Sequence, residues 1–291
     1  HKKTDGSYDC LVPGSGGKDS VYASHLLKYK YGMNPLTVTW PPILYTTYGL
    51  ENFRNWLNIG GFDNISFNQN GKAMKILTRL SIENLFHPFQ TFILGQKQLA
   101  PKIAKQLGID LIFYGEHEAE FGNPISEAST PLRSSEWHAV EDHKNLLLGG
   151  ITIEEILDKY PLTLADLSPF LPMKLEDNDC LPETHYLGYY LPWQPQEAYY
   201  YATKHSKFKA RPYRTQGTYS KYLSLDDKID DLNYYCYFIK FGFGRCTEDA
   251  SQEIRNGHIT REEGMALVDR YDGEFPDIYF QDVMEYLEID P

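Results

Sequence analysis

Cysteine is scarce and scattered in this sequence. Its 291 residues hold four, Cys10, Cys180, Cys236 and Cys246, and none stands in a C-x-x-C pair. That spacing speaks against a zinc ribbon and against a dithiol redox pair. Basic charge is also short: 28 Lys and Arg face 40 Asp and Glu, for a net charge of −12. Nucleic-acid backbones are gripped by clustered Lys and Arg, so an extended nucleic-acid surface is not expected. No apolar run approaches the roughly 20 residues of a membrane-spanning helix, and no secretory signal is visible. A reduced, cytoplasmic setting is therefore expected. There is no initiator Met, no internal repeat and no low-complexity linker. Tyrosine, by contrast, is plentiful, at 23 residues.

The first informative stretch follows the apolar run Tyr8–Pro13 and reads Gly14-Ser15-Gly16-Gly17-Lys18-Asp19-Ser20. Two common phosphate loops are excluded by one residue. A Walker A loop needs Ser or Thr after its Gly-Lys, and a dinucleotide fingerprint needs a third glycine at that same place. Asp19 occupies it. What remains, S-G-G-K-D-S, resembles the PP-loop of ATP pyrophosphatases, which holds the β- and γ-phosphates of ATP as a leaving pyrophosphate. The physics suits that use. Ser15, Gly16 and Gly17 let backbone N–H groups crowd onto an anion, the following helix presents its positive end, and Lys18 adds a full charge. Lys18 and Asp19 are expected to face solvent. The same residues would also serve an ordinary strand-to-helix turn, with Asp19 or Ser20 as N-cap.

The first half alternates strand and helix. Strands are expected over Tyr8–Pro13, Leu36–Trp40, Phe62–Phe67 and Ile109–Tyr114, and helices over Asp19–Tyr31, Leu50–Asn58, Lys72–Leu85 and Phe92–Leu107. Alternation of this kind gives an α/β fold with a parallel sheet and helices on both faces. A further strand and helix near residues 184–205 would bring the sheet to about five strands. The chain then divides into a core over residues 1–205, with an insertion of loops and short helices near 122–180, and a helical C-terminal region over 206–291. Ligands should bind beyond the carboxyl ends of the strands.

Two more stretches carry candidate chemistry. "YGEHEAEFG" follows the fourth strand: Gly115 breaks it, and Glu116, Glu118 and Glu120 offer hard oxygen ligands at the sheet's carboxyl edge, where a Mg²⁺-bound triphosphate would need them. A solvated acidic loop would read the same way. In the C-terminal region, Ser224 with Asp227 and Thr260 with Glu263 match helix N-capping patterns. "GTYSKY" offers Tyr219 and Lys221, and in "KFGFGR" Lys240 and Arg245 flank a glycine-spaced turn suited to an anion. These blocks are expected to fold back over the sheet's carboxyl edge, with Lys221 and Arg245 facing Lys18 and Glu116.

Taken together, "SGGKDS", "GQK", "YGEHEAEFG", "PQEAYYYA", "GTYSKYLSLDDKIDD", "IKFGFGR" and "EIRNGHITREEG" resemble the bacterial N-acetyl sugar amidotransferase family of surface-glycan synthesis, which serves lipopolysaccharide O-antigen and flagellin glycans with pseudaminic-type sugars. The resemblance implies an ATP-dependent, AMP-forming enzyme that turns a sugar acetamido group into an acetamidino group. It assigns Ser15, Gly16, Gly17, Lys18, Asp19, Ser20 and Gly115 to ATP, Asp19 and Glu116 to Mg²⁺, and catalysis to Lys18, Asp19 and Glu116. Glu118, Glu120, Tyr219, Lys221, Lys240, Arg245 and His258 fall to a sugar or nucleotide-sugar acceptor. No cysteine lies in a nucleophile motif, so ammonia is expected from a separate glutaminase. The chain departs from the family in lacking a cysteine-rich opening segment, and at Gly14 and His117, where a bulkier residue and Asn are usual. Other readings are a tRNA-modifying PP-loop enzyme of thiolase or lysidine synthetase type, an NAD- or GMP-synthetase type amidase, and a non-catalytic ATP-binding module. The absent cysteine pair and the acidity disfavour the first, and the second is matched at the loop alone.

Overall fold

The computed structural model describes residues 1–115, 129–135, 138–175 and 180–290. Four strands, β1 (Cys10–Pro13), β2 (Pro35–Thr39), β3 (Asn64–Ser66) and β4 (Leu111–Tyr114), precede two minor two-stranded sheets. In these, β5 (Ala139–Val140) pairs with β8 (Met173–Lys174), and β6 (Leu147–Leu148) with β7 (Ile151–Thr152). The last strand, β9 (Glu183–Tyr186), completes the main sheet in the order β3-β2-β1-β4-β9. Every pairing in that sheet is parallel. The α/β class and the five strands are as the alternation implies, although β9 stops at Tyr186 and a short helix, α7 (Leu187–Tyr190), replaces the rest of the expected strand.

Helices cover both faces because neighbouring residues of a strand point to opposite sides. Leu11 and Ile112 pack with Ala73 and Leu77 of α3 (Gly71–Leu85) and with Leu99 and Ala104 of α4 (Gln90–Leu107). Cys10, Val12 and Leu111 pack on the other side with Ala23 of α1 (Lys18–His25) and with Leu26 and Leu27, where α1 runs on as a π-helical turn over Leu26–Lys30. Between β4 and β9, α5 (Ile153–Lys159) and α6 (Leu164–Leu167) send Ile153, Ile156 and Leu167 into the first of these clusters. The insertion thus belongs to the main core.

The chain winds from β1 outward through β2 and β3, then crosses back to place β4 on the other flank of β1. That reversal leaves a crevice at the carboxyl ends of β1 and β4. Helix α2 (Thr47–Asn58) lies beside it, and α8 (Pro195–Ser206) packs on α1. The C-terminal helices are α9 (Asp230–Phe241), α10 (Arg245–Arg255), α11 (Arg261–Tyr271) and α12 (Asp277–Leu287). Ile229, Leu232, Val283 and Leu287 bury themselves against Phe89 and its neighbours at the start of α4. Each such side chain stabilises the docking by about 1.5–3 kcal/mol. Among the described residues, no helix is long and apolar enough to cross a membrane.

Candidate active site

The loop after β1 owes its shape to a close neighbour. Gly16 has φ +86°, and a Cβ there would stand 2.5 Å from Phe53 Cα of α2. Only glycine combines that dihedral with that approach. A side chain on Gly14 would overlap the Ser20 hydroxyl, which gives a steric reason for the small residue at this departure from the family pattern. Gly17, extended, is the N-cap of α1, and no side chain caps the helix. The alternative of an Asp19 or Ser20 cap is therefore not what is built. Instead Ser20 Oγ turns back to accept the Ser15 N–H at 3.2 Å. The N-terminal turn of α1 presents its positive end without a side-chain cap, as an anion site requires.

Lys18 does not face open solvent; it is 4% exposed, and its ammonium lies 2.5 Å from Asp19 Oδ2. The other carboxylate oxygen of Asp19 is buried and has no hydrogen-bond partner among the described residues. Gly115, at the end of β4, abuts this point: a Cβ there would lie 3.4 Å from the Asp19 carbonyl oxygen.

Ser15, Gly16, Gly17, Lys18 and Asp19 form one side of a cavity of about 300 Å³. Trp40, Phe89, Phe92 and Ile93 give it an apolar wall, with Gln96 of the "GQK" block beside them. A third side comes from far along the chain: Tyr222, Ser224, Asp226, Asp227 and Asp230. These residues are lashed to the loop after β2. Thr46 N donates to the Asp226 carbonyl at 3.0 Å, and Lys228 N to the Leu44 carbonyl at 2.9 Å. The Asp227 carboxylate accepts from the backbone N–H of Ile43 at 2.5 Å and of Ile229 at 3.0 Å. Ser224 and Asp227 are thus not a capping pair. Ser224 sits in the left-handed region at φ 45° and accepts a hydrogen bond from the Tyr234 hydroxyl. Thr260 and Glu263 do form the capping box of α11.

The acidic wall is shaped by burial. Desolvation raises the Asp226 carboxyl, while the Ser15 hydroxyl bonded to it and the Arg211 charge pull it back. Desolvation also raises Asp227, against the three amides that donate to it, and holds Asp230 well above the usual carboxylate range. The neighbouring carboxyls of Asp226, Asp227 and Asp231 push Asp230 the same way. Asp231, 2% exposed, is pushed up to about 7 by burial, with Arg211 opposing. Among the described residues no group of three or more His, Cys, Asp or Glu side chains is arranged around a metal position.

The remaining expected site residues do not gather at the loop. Glu116, Glu118 and Glu120 lie outside the described residues. Lys221 is exposed and donates to the Pro212 carbonyl at 3.2 Å. Arg245 is held by Asp249 at 2.8 Å and Glu248 at 3.9 Å, with its guanidinium over the Tyr234 ring. The expectation that these two face Lys18 is not met, because both are spent on local partners. The glycine-spaced turn of "KFGFGR" is likewise filled from within: Asp272 accepts from Gly244 N at 2.8 Å and from the Thr247 hydroxyl at 2.5 Å, so the protein's own carboxylate sits at the start of α10. Lys240 donates to the Leu85 carbonyl, His258 pairs with Glu253 at 2.6 Å, and the Tyr219 hydroxyl is buried. None of these lines the loop cavity. Its acidic wall could have been suspected from the density of Asp in "SLDDKIDD", but nothing local in the sequence shows that this block pairs with residues 43–46.

Comparison with known proteins bears on the C-terminal part. An uncharacterized protein of Methanocaldococcus jannaschii, MJ1599, is 57% identical over 37 residues, which is 13% of this chain and 13% of that protein's length. The U34-tRNA thiolase NcsA of Methanococcus maripaludis, solved with its [4Fe-4S] cluster, overlaps 97% of this chain and 74% of its own at 11% identity and a TM-score of 0.42. Residues 216–291 match the family model described as LPS biosynthesis protein WbpG-like, C-terminal domain. That match agrees with the sugar amidotransferase resemblance of the motifs within the same segment.

Proposed function

We propose that this chain is an ATP-dependent, AMP-forming amidotransferase of surface-glycan synthesis, which converts the N-acetyl group of a sugar into an acetamidino group. One observation carries the reading: the S-G-G-K-D loop and the Ser224–Asp230 block of the WbpG-like segment close on the same cavity. A phosphate-type loop and a glycan-synthesis segment thus share one site.

The chemistry follows from the weakness of an amide as an electrophile. Its oxygen attacks the α-phosphorus of ATP, the bond to the β-phosphate oxygen breaks, and the amide N–H proton is lost. An O-adenylated imidate and pyrophosphate result. Ammonia then adds to the imidate carbon, and AMP departs with the former amide oxygen. The backbone N–H groups of Gly16 and Gly17 and the start of α1 receive the charge that develops on the pyrophosphate, and the Lys18 ammonium offsets it within a mostly buried site. The apolar wall of Trp40, Phe89 and Phe92 suits the base. The buried, unpartnered oxygen of Asp19 is a hard ligand on the loop side of the cavity, and Asp19 is the described residue that would help to hold Mg²⁺. When bound, Mg²⁺ neutralises phosphate charge.

Incubation of the protein with ATP, ammonium and N-acetyl sugars tests the reading. AMP and pyrophosphate should appear in equal amounts, and the modified sugar should lose about one mass unit as NH replaces O. Release of ADP and phosphate, or tRNA-dependent AMP formation without a sugar product, would refute it. A supply of ammonia by a partner glutaminase is part of the same proposal, and the chain alone should not hydrolyse glutamine.

A further inference from the structure

A second cavity, of about 390 Å³, adjoins the first. Helix α9 contributes to both from one face: Asp230 lines the loop cavity, and Asn233, Tyr234 and Tyr237 line the second. The α3–α4 turn likewise borders both, with Phe89 lining the first and Phe86 and His87 the second. Two hydrogen bonds fix α9 to these neighbours, from the Tyr234 hydroxyl to Ser224 Oγ and between His87 Nδ1 and Asn233 Oδ1 at 3.2 Å.

Lys240 and Arg245 meet in the second cavity. Their charges are already engaged, by the Leu85 carbonyl and by Asp249 and Glu248. An anion would have to compete with those partners. The volume is also far beyond the needs of an ammonium ion. What the cavity does offer is aromatic surface, from Tyr237 and Phe241 above all, interleaved with the Asn233 amide and the Glu248 carboxyl. Phe241 is 53% exposed, and the Tyr237 hydroxyl donates to Glu248 at 3.0 Å. Apolar faces beside hydrogen-bonding groups suit a polyhydroxylated ring, whose C–H face stacks and whose edge bonds. All the lining residues except Phe86 and His87 come from the WbpG-like segment.

We propose that this second cavity is a saccharide-binding site, seating an acetamido sugar ring beside the loop cavity. The inference rests on the glycan reading above and adds where the sugar is held.

Saturation-transfer NMR on the full chain without ATP, with N-acetylglucosamine and N-acetylneuraminic acid as neutral and anionic probes, tests it. Saturation should reach the ring protons of at least one probe at millimolar concentration. Phe241→Ala and Tyr237→Ala should each weaken binding about tenfold with ATP binding retained, while Lys18→Ala leaves sugar binding intact. Phe241 is exposed enough that its variant should keep the wild-type melting temperature, so the test stands even if Tyr237→Ala fails to fold. Binding of neither probe, binding undiminished in Phe241→Ala, or binding lost in Lys18→Ala would overturn the proposal. Pyrophosphate release from ATP is scored separately, so its presence without sugar binding removes this site alone, and its absence removes the parent reading.

Discussion

Asp231→Asn should make the protein's stability less sensitive to pH, in a direction fixed by the structure. The Asp231 carboxyl is 2% exposed, neither oxygen has a hydrogen-bond partner among the described residues, and burial pushes it from 3.8 to about 7. Below about pH 4 it is protonated in both the folded and the unfolded chain and contributes no pH dependence. Between about pH 4 and 7 the unfolded chain releases its proton while the folded chain keeps it, so stability falls as pH rises. Above about 7 both forms are ionised and the loss is complete. A difference of about three pKa units corresponds to roughly 4 kcal/mol. Arg211, buried nearby, opposes part of the burial effect, and the value of about 7 already includes that opposition. Asn cannot ionise. The stability of the variant minus that of the wild type should therefore rise by up to about 4 kcal/mol from pH 4 to pH 8, whatever fixed offset the amide introduces. Urea unfolding at both pH values, with linear extrapolation, reads that difference. Parallel curves within about 1 kcal/mol would refute the argument, and would mean that Arg211 compensates the ionised form in full.

Lys18→Met should cut ATP-dependent pyrophosphate release by roughly a hundred- to a thousand-fold, the usual cost of one transition-state charge contact, with the melting temperature as control; an undiminished rate would take Lys18 out of catalysis. Gly16→Ala should destabilise the protein by roughly 1–3 kcal/mol and weaken ATP binding, since the new Cβ meets Phe53 Cα at a left-handed φ; a thermal shift and a nucleotide titration on one sample would check both.

The core of the fold was legible because its signals are local. Apolar runs such as Leu111–Tyr114, punctuated by Gly108 and Gly115, set the strands, and the alternation with helices set the parallel order. The phosphate loop was legible for the same reason: its residues are contiguous, and two rival motifs fail at one position, Asp19. What escaped was placement that depends on distant partners. Lys18 reads as a surface lysine, but α2 and the Ser224–Asp230 block close over it. Arg245 reads as an anion ligand because its sequence neighbours are glycines, yet its partner Asp249 lies one helical turn on and Asp272 fills the turn beside it. Ser224 and Asp227 have the spacing of a cap, and the local pattern cannot tell a cap from a carboxylate that bonds the amides of Ile43 and Leu44.

An acidic chain that places Asp226, Asp227 and Asp230 opposite a phosphate loop poses an electrostatic problem, and its resolution yields a further test. Ionised together, these groups would repel a triphosphate across a 300 Å³ cavity. Burial lifts all three carboxyls, Asp227 to about 7, so near neutrality the wall still holds protons. Raising the pH strips those protons and turns the wall negative. Without a divalent cation, ATP affinity should then fall as pH rises from about 6 to 8, the interval around the raised Asp227 carboxyl. With Mg²⁺ the cation offsets the triphosphate charge that the wall would repel, and the fall should be reduced. ATP itself titrates in this range, so the reading is taken against Asp227→Asn, which subtracts the nucleotide's own contribution. Calorimetric titrations with EDTA and with Mg²⁺ at both pH values give the four affinities. If wild type and Asp227→Asn lose ATP affinity in parallel without Mg²⁺, the acidic wall does not govern nucleotide binding, and Lys18 with the start of α1 sets it alone.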